Sequence, residues 1–143
     1  MKIKNTIESP KKFDVEKLIE FLGKELNIGE DVQLTVAYNE DLLNKFSNET
    51  IEYKAFLHHP RSDLYYIFVT KEKLGLNKIL CHEMTHVHQC ERGDLQYSSD
   101  YKTITWKGEV FDRHTKYDDR EWEKEAFDLQ DKLWKKFKNE SNI

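Results

Sequence analysis

The sequence predicts a single α+β domain spanning residues 1–143, and three observations carry that expectation. Apolar residues recur at helical spacing in three separate stretches, and runs rich in β-branched and aromatic residues lie between them. No internal repeat, Gly/Ser linker or shift of composition marks a second domain. At 143 residues the chain can close one hydrophobic core without disulfides, although with 38% apolar and 35% charged residues that core is modest.

Phe13, Leu18, Ile19, Leu22 and Leu26 define the first helix, with Gly29 available to stop it. Val32 to Val36 alternates with period two and reads as a half-buried strand. Asn39 to Thr50 reads as a short helix or loop. Ile51 to Leu57 and Leu64 to Val69 form an antiparallel hairpin, turned by the polar stretch His58 to Asp63. In that turn His58 and His59 are exposed imidazoles rather than a metal site. A helix runs from about Leu74 to Arg92 and stops at Gly93. Tyr101 to Phe111 is a strand or short hairpin containing Gly108. The last helix, from about Arg120 to Phe137, carries a broad apolar face, and the tail after Lys138 frays.

Composition removes several function classes. The mean hydropathy of -0.84 leaves no apolar run near the roughly 20 residues a bilayer needs, and MKIKNTIESP lacks a signal-peptide core, so a soluble cytoplasmic protein is expected. A net charge of -4 argues against a general nucleic-acid binder. Lys135, Lys136 and Lys138 complement the dipole of the last helix. Cys81 and Cys90 share a helix ~13 Å apart, beyond bridging distance, and are expected as free thiols.

His82-Glu83-Met84-Thr85-His86 is an H-E-x-x-H on a predicted helix. Positions i and i+4 lie ~40° apart around the axis and ~6 Å apart along it, so both imidazoles can converge on one ion, and zinc suits them. Glu83 is placed to act as the base that takes a proton from a metal-bound water. His88, two residues on from His86, faces elsewhere and receives no role. The metzincin continuation is excluded, because Gln89 and Arg92 stand where Gly and His are required.

A carboxylate on the last helix is the other common third ligand. At ~100° per residue Glu123 misses the centre of the apolar face by only ~50°, Glu125 by ~110° and Glu121 by more. Glu123 is therefore preferred, with Glu125 as fallback and His114 as the second choice of ligand. Ala126, one turn on, permits close helix approach. His114, Tyr117 and Arg120 precede this helix in a loop that could hang over the cleft, and His114 and Tyr117 are the candidates for stabilising a tetrahedral oxyanion. Trp106 and Trp134 read as core anchors.

These residues resemble the gluzincin type of zincin metallopeptidase, in particular small phage-associated metallopeptidases and minimal gluzincin domains. The resemblance rests on His82-Glu83-x-x-His86, on Ile104 to Gly108 after the active helix, and on Trp122 to Phe127. It implies Glu123, the first residue of a Glu-x-x-Ala pattern, as zinc ligand. It also places an Asp four residues further on to orient a histidine, where this chain has Phe127. The implied fold has an N-terminal helix, a small twisted, mostly antiparallel sheet, the H-E-x-x-H helix and a C-terminal glutamate helix. The implied activity is hydrolysis of a peptide bond by an endopeptidase, with the peptide or protein substrate added as an extended strand along Leu64 to Val69 at the sheet edge, and the short chain, without a visible substrate domain, points to narrow specificity. The alternative is a non-catalytic, zinc-stabilised binding or regulatory protein of phage or mobile-element origin.

Overall fold

The structure is a computed structural model that describes residues 1–47, 54–72, 74–116 and 119–143. The chain begins with a strand the sequence reading did not anticipate, β1 (Lys2–Asn5), followed by α1 (Val15–Glu25) and β2 (Gln33–Tyr38). β1 and β2 pair in parallel, with Ile3 beside Leu34, and α1 forms the crossover that a parallel pair requires. Lys2 and Lys4 face solvent, as suits a sheet edge, and they hide the strand from a hydropathy pattern. Asp14 caps α1 by accepting from the Lys17 N–H at 3.0 Å, and Asn27, with φ 52°, ends it two residues before Gly29.

α2 (Glu40–Phe46) lies within the stretch read as short helix or loop, capped by Asn39 on the Leu42 N–H at 3.0 Å. β3 (Ala55–Arg61) and β4 (Leu64–Val69) form the expected hairpin, although residues 51–53 of the proposed first strand lie outside the described residues. His58 and His59 belong to β3 rather than to the turn, which is confined to Ser62 and Asp63. The His59 ring stacks on Tyr65 with centroids 4.0 Å apart and its Nδ1 lies 2.9 Å from the Leu64 carbonyl. The backbone N–H of His59 donates to the Tyr101 hydroxyl at 2.9 Å, and the β3–β4 register shifts between His58 and Arg61.

The four-stranded sheet has the order β1-β2-β4-β3. Two of its three pairings, β1 with β2 and β2 with β4, are parallel, which corrects the expectation of a mostly antiparallel sheet. β4 is an interior strand, so Leu64 to Val69 is not an edge; the edges are β1 and β3. The continuous apolar run of β4 fits an interior place, with Tyr65, Ile67 and Val69 fully buried and the alternate residues half-buried.

α3 (Leu76–Glu91) crosses beneath the sheet and ends at Arg92 and left-handed Gly93, where the Asp94 N–H bonds the Gln89 carbonyl at 3.1 Å. Cys81 and Cys90, both on α3, are free thiols. A second, antiparallel sheet follows, of β5 (Leu95–Tyr97), β6 (Thr103–Trp106) and β7 (Glu109–Asp112), with left-handed Lys107 and Gly108 forming the β6–β7 turn. α4 (Glu121–Ser141) continues past Lys138 to left-handed Asn142 instead of fraying there. Leu18, Leu22, Leu34, Ile67, Leu80, Met84, Leu133 and Phe137 form the main core among α1, α3, α4 and the larger sheet. Trp106 and Trp122 anchor a smaller core under the second sheet, while Trp134 is only partly buried and packs on the main core beside Phe13. Among the described residues no helix is long and apolar enough to cross a membrane.

Candidate metal centre

The motif helix α3 packs along the first half of α4, and the fully buried Ala126 keeps their axes close. This contact brings His82, His86 and Glu123 together, 41 residues apart in the chain for His82 and Glu123. The His82 Nε2 lies 2.9 Å from Glu123 Oε2, the His86 Nε2 lies 3.0 Å from Glu123 Oε1, and the two Nε2 atoms are 3.2 Å apart. Donors bound to one tetrahedral zinc at ~2.0–2.1 Å are separated by ~3.3 Å, so the three groups are already spaced for such an ion. Among the described residues this is the sole group of His, Cys, Asp and Glu that meets the spacing a metal requires.

Both imidazoles are oriented by amides. The His82 Nδ1 lies 2.9 Å from Gln130 Oε1, and the His86 Nδ1 lies 2.7 Å from Gln89 Oε1. With the protons held at Nδ1, both Nε2 lone pairs point to the common centre. The orientation of Gln89 is set by its own partners: its Nε2 donates to the Trp122 carbonyl at 2.9 Å and to Glu125 Oε1 at 3.1 Å, leaving Oε1 for His86. Glu125 also binds Arg92 at 2.6 Å. It therefore ties α4 to α3 and stands apart from the three-donor group. Phe127 supplies no carboxylate; its ring packs edge-on against His82 with centroids 4.6 Å apart, and Gln130, one turn further along α4, takes the orienting role.

Burial disfavours the charge on Glu123, but the two imidazoles outweigh it and hold the carboxyl well below the usual carboxylate range. Burial likewise disfavours the His86 imidazolium, yet Glu123, with Glu83 and Gln89, raises it to about 9. Glu83 is shifted upward, chiefly by burial, with the histidines and Arg113 opposing and Glu123 assisting. Its half-buried carboxylate makes no hydrogen bond with any described residue and lines a cleft of about 370 Å³ with His82, His86 and Glu123. β3 forms one wall of that cleft through Ala55, Phe56 and Leu57, and Tyr97, Ile104, Arg113 and Arg120 line it from the second sheet and the loop before α4.

His114 lies elsewhere, exposed and lining a different pocket with His58 and Tyr101, while its N–H donates to Asp112 Oδ1 at 2.8 Å. Tyr117 lies outside the described residues. The sequence reading missed Gln89, Gln130, Tyr97 and Arg113. A signal existed for Gln130, which sits seven residues after Glu123 and so within ~20° of it around α4. Tyr97 and Arg113 reach the cleft only through the packing of the second sheet, and no local pattern marks them. No protein-family model, curated protein or solved structure matches the chain.

Proposed function

We propose that the chain is a zinc-dependent peptidase of the minimal gluzincin kind, in which His82, His86 and Glu123 hold the ion. The reading rests on one observation above the others: two imidazole Nε2 atoms and a carboxylate converge at near-tetrahedral spacing with both Nδ1 atoms already occupied by amide oxygens. A bound zinc ion would lower the pKa of water and polarise a carbonyl, which is the chemistry amide hydrolysis needs. Glu83, whose carboxylate lines the cleft beside His82 and His86, takes and returns the proton. The substrate lies extended along β3, the outer strand that forms the cleft wall, and pairs with its free edge.

The test combines metal content with cleavage. Zinc-loaded wild type should hydrolyse members of a peptide library, and Glu83→Gln should keep one ion per chain while losing the cleavage. Equal cleavage by Glu83→Gln removes Glu83 from the reaction. One ion per chain without cleavage in any variant favours a metal-stabilised binding protein instead.

A further inference from the structure

We propose that Arg113 and Arg120 make the cleft select peptides that present a carboxylate beside the scissile bond, an inference that rests on the peptidase reading above. The chain as a whole is acidic, at net -4, yet four of the cleft's side chains are Lys54, Lys78, Arg113 and Arg120. The two lysines are answered locally, Lys54 by Glu72 at 2.7 Å and Lys78 by Asp131 at 3.2 Å. The cleft's own acids are Glu83 and Glu123, and Glu123 is held between the histidines.

Arg120 forms no ion pair with a described carboxylate; its Nε donates to the Thr115 carbonyl. Its position is costly on local grounds. It is the N-cap of α4, where Ser, Thr, Asp or Asn would serve, it makes no capping bond, and its cation sits at the positive end of the helix dipole. A negatively charged ligand group would relieve that arrangement. Arg113 is held in place by Nη1 donating to the Tyr101 carbonyl at 3.2 Å and by the rings of Phe46 and Phe56, whose centroids lie 5.1 and 4.7 Å from its guanidinium carbon. It lines the same cleft as Glu83 and Tyr97. Guanidinium groups bind carboxylates through paired, planar hydrogen bonds, and the neighbouring Ile104 and Trp122 lower the local dielectric and strengthen them. The carboxylate could belong to an acidic side chain or to a peptide C-terminus.

The experiment uses the zinc-loaded full chain and synthetic ten-residue peptides, each made with a free and an amidated C-terminus. The readout is the ratio of kcat/KM for a cleaved peptide carrying Glu to that for its Gln counterpart, since a folding defect in a variant scales both equally. Wild type should favour the carboxylate by roughly 10–100-fold, Arg120→Gln should bring the ratio toward one, and Arg120→Glu should favour a Lys counterpart. If the preference follows the free terminus rather than an internal Glu, the α-carboxylate is the recognised group. Cleavage with a ratio near one, or a ratio unchanged in both Arg113→Gln and Arg120→Gln, overturns the inference and leaves the peptidase reading standing. A complete lack of Glu83-dependent cleavage removes both.

Discussion

Gln89 Oε1 lies 2.7 Å from His86 Nδ1 while its Nε2 lies 2.9 Å from the Trp122 carbonyl, so one buried amide both orients His86 and joins α3 to α4. Replacing Gln89 by Leu strands the His86 N–H and removes the α3–α4 bonds to Glu125 and to the Trp122 carbonyl, which keeps its own intrahelical partner. We expect a loss of about 1–3 kcal/mol in stability, read as a lower denaturation midpoint, together with weaker zinc binding.

Gln130 orients His82 from a more exposed place and carries no comparable cross-link. Gln130→Leu should lower zinc affinity by roughly 10–100-fold in chelator competition while the denaturation midpoint of the metal-free chain stays near wild type. Gln130→Glu, which still accepts the His82 proton, should restore binding.

Elemental mass spectrometry should show one zinc per chain in wild type and in Glu125→Ala, and none in Glu123→Ala. Glu125→Ala should instead destabilise the chain by about 1–3 kcal/mol, because Gln89 and Arg92 lose a shared partner. Zinc loss in Glu125→Ala alone would reverse the assignment.

The metal-free chain should lose stability as pH rises from about 6.5 to above 9. His86 is raised from its ordinary 6.5 to about 9, so its contribution is complete below the unfolded value and disappears as pH climbs through the folded one. Glu123 is shifted downward, so its contribution is present above the ordinary carboxylate value and disappears as pH falls through the folded one. The two describe one His86–Glu123 pair and are not summed. Zinc uptake must displace the His86 proton, so affinity should climb about tenfold per pH unit between about 7 and 9, with proton release visible by calorimetry in buffers of different ionisation enthalpy.

Ala126→Leu should push α4 away from α3. Overpacking at this fully buried position costs about 1–3 kcal/mol, and zinc affinity should fall with it because Glu123 lies one turn away.

The convergence of the three candidate ligands was legible because each depends on helical phase alone. The i, i+4 histidines need only a helix, and Glu123 was separated from Glu125 by the angle each makes with the apolar face of α4. The sheet was harder because strand order is a property of the whole chain. β1 offers one inward apolar residue, Ile3, between two lysines, and its parallel pairing follows from the α1 crossover rather than from its own pattern. The interior place of β4 had a signal in its unbroken apolar run, whereas β3 was obscured by His58, His59 and Pro60, which read as turn chemistry but are tolerated on an outer strand.

Among the described residues the outer edge of β3 is short. The Lys54 carbonyl accepts from the Thr70 N–H at 3.1 Å, so by antiparallel alternation the polar backbone groups of Ala55 and Leu57 turn away from the sheet. The next outward N–H, that of His59, is already held by the Tyr101 hydroxyl, and Pro60 and the register shift end the ladder. Among the described residues, a chain laid along β3 would therefore meet two outward-facing rungs, at Ala55 and Leu57. Two rungs would suffice to hold the few residues that flank a single bond in the proposed substrate.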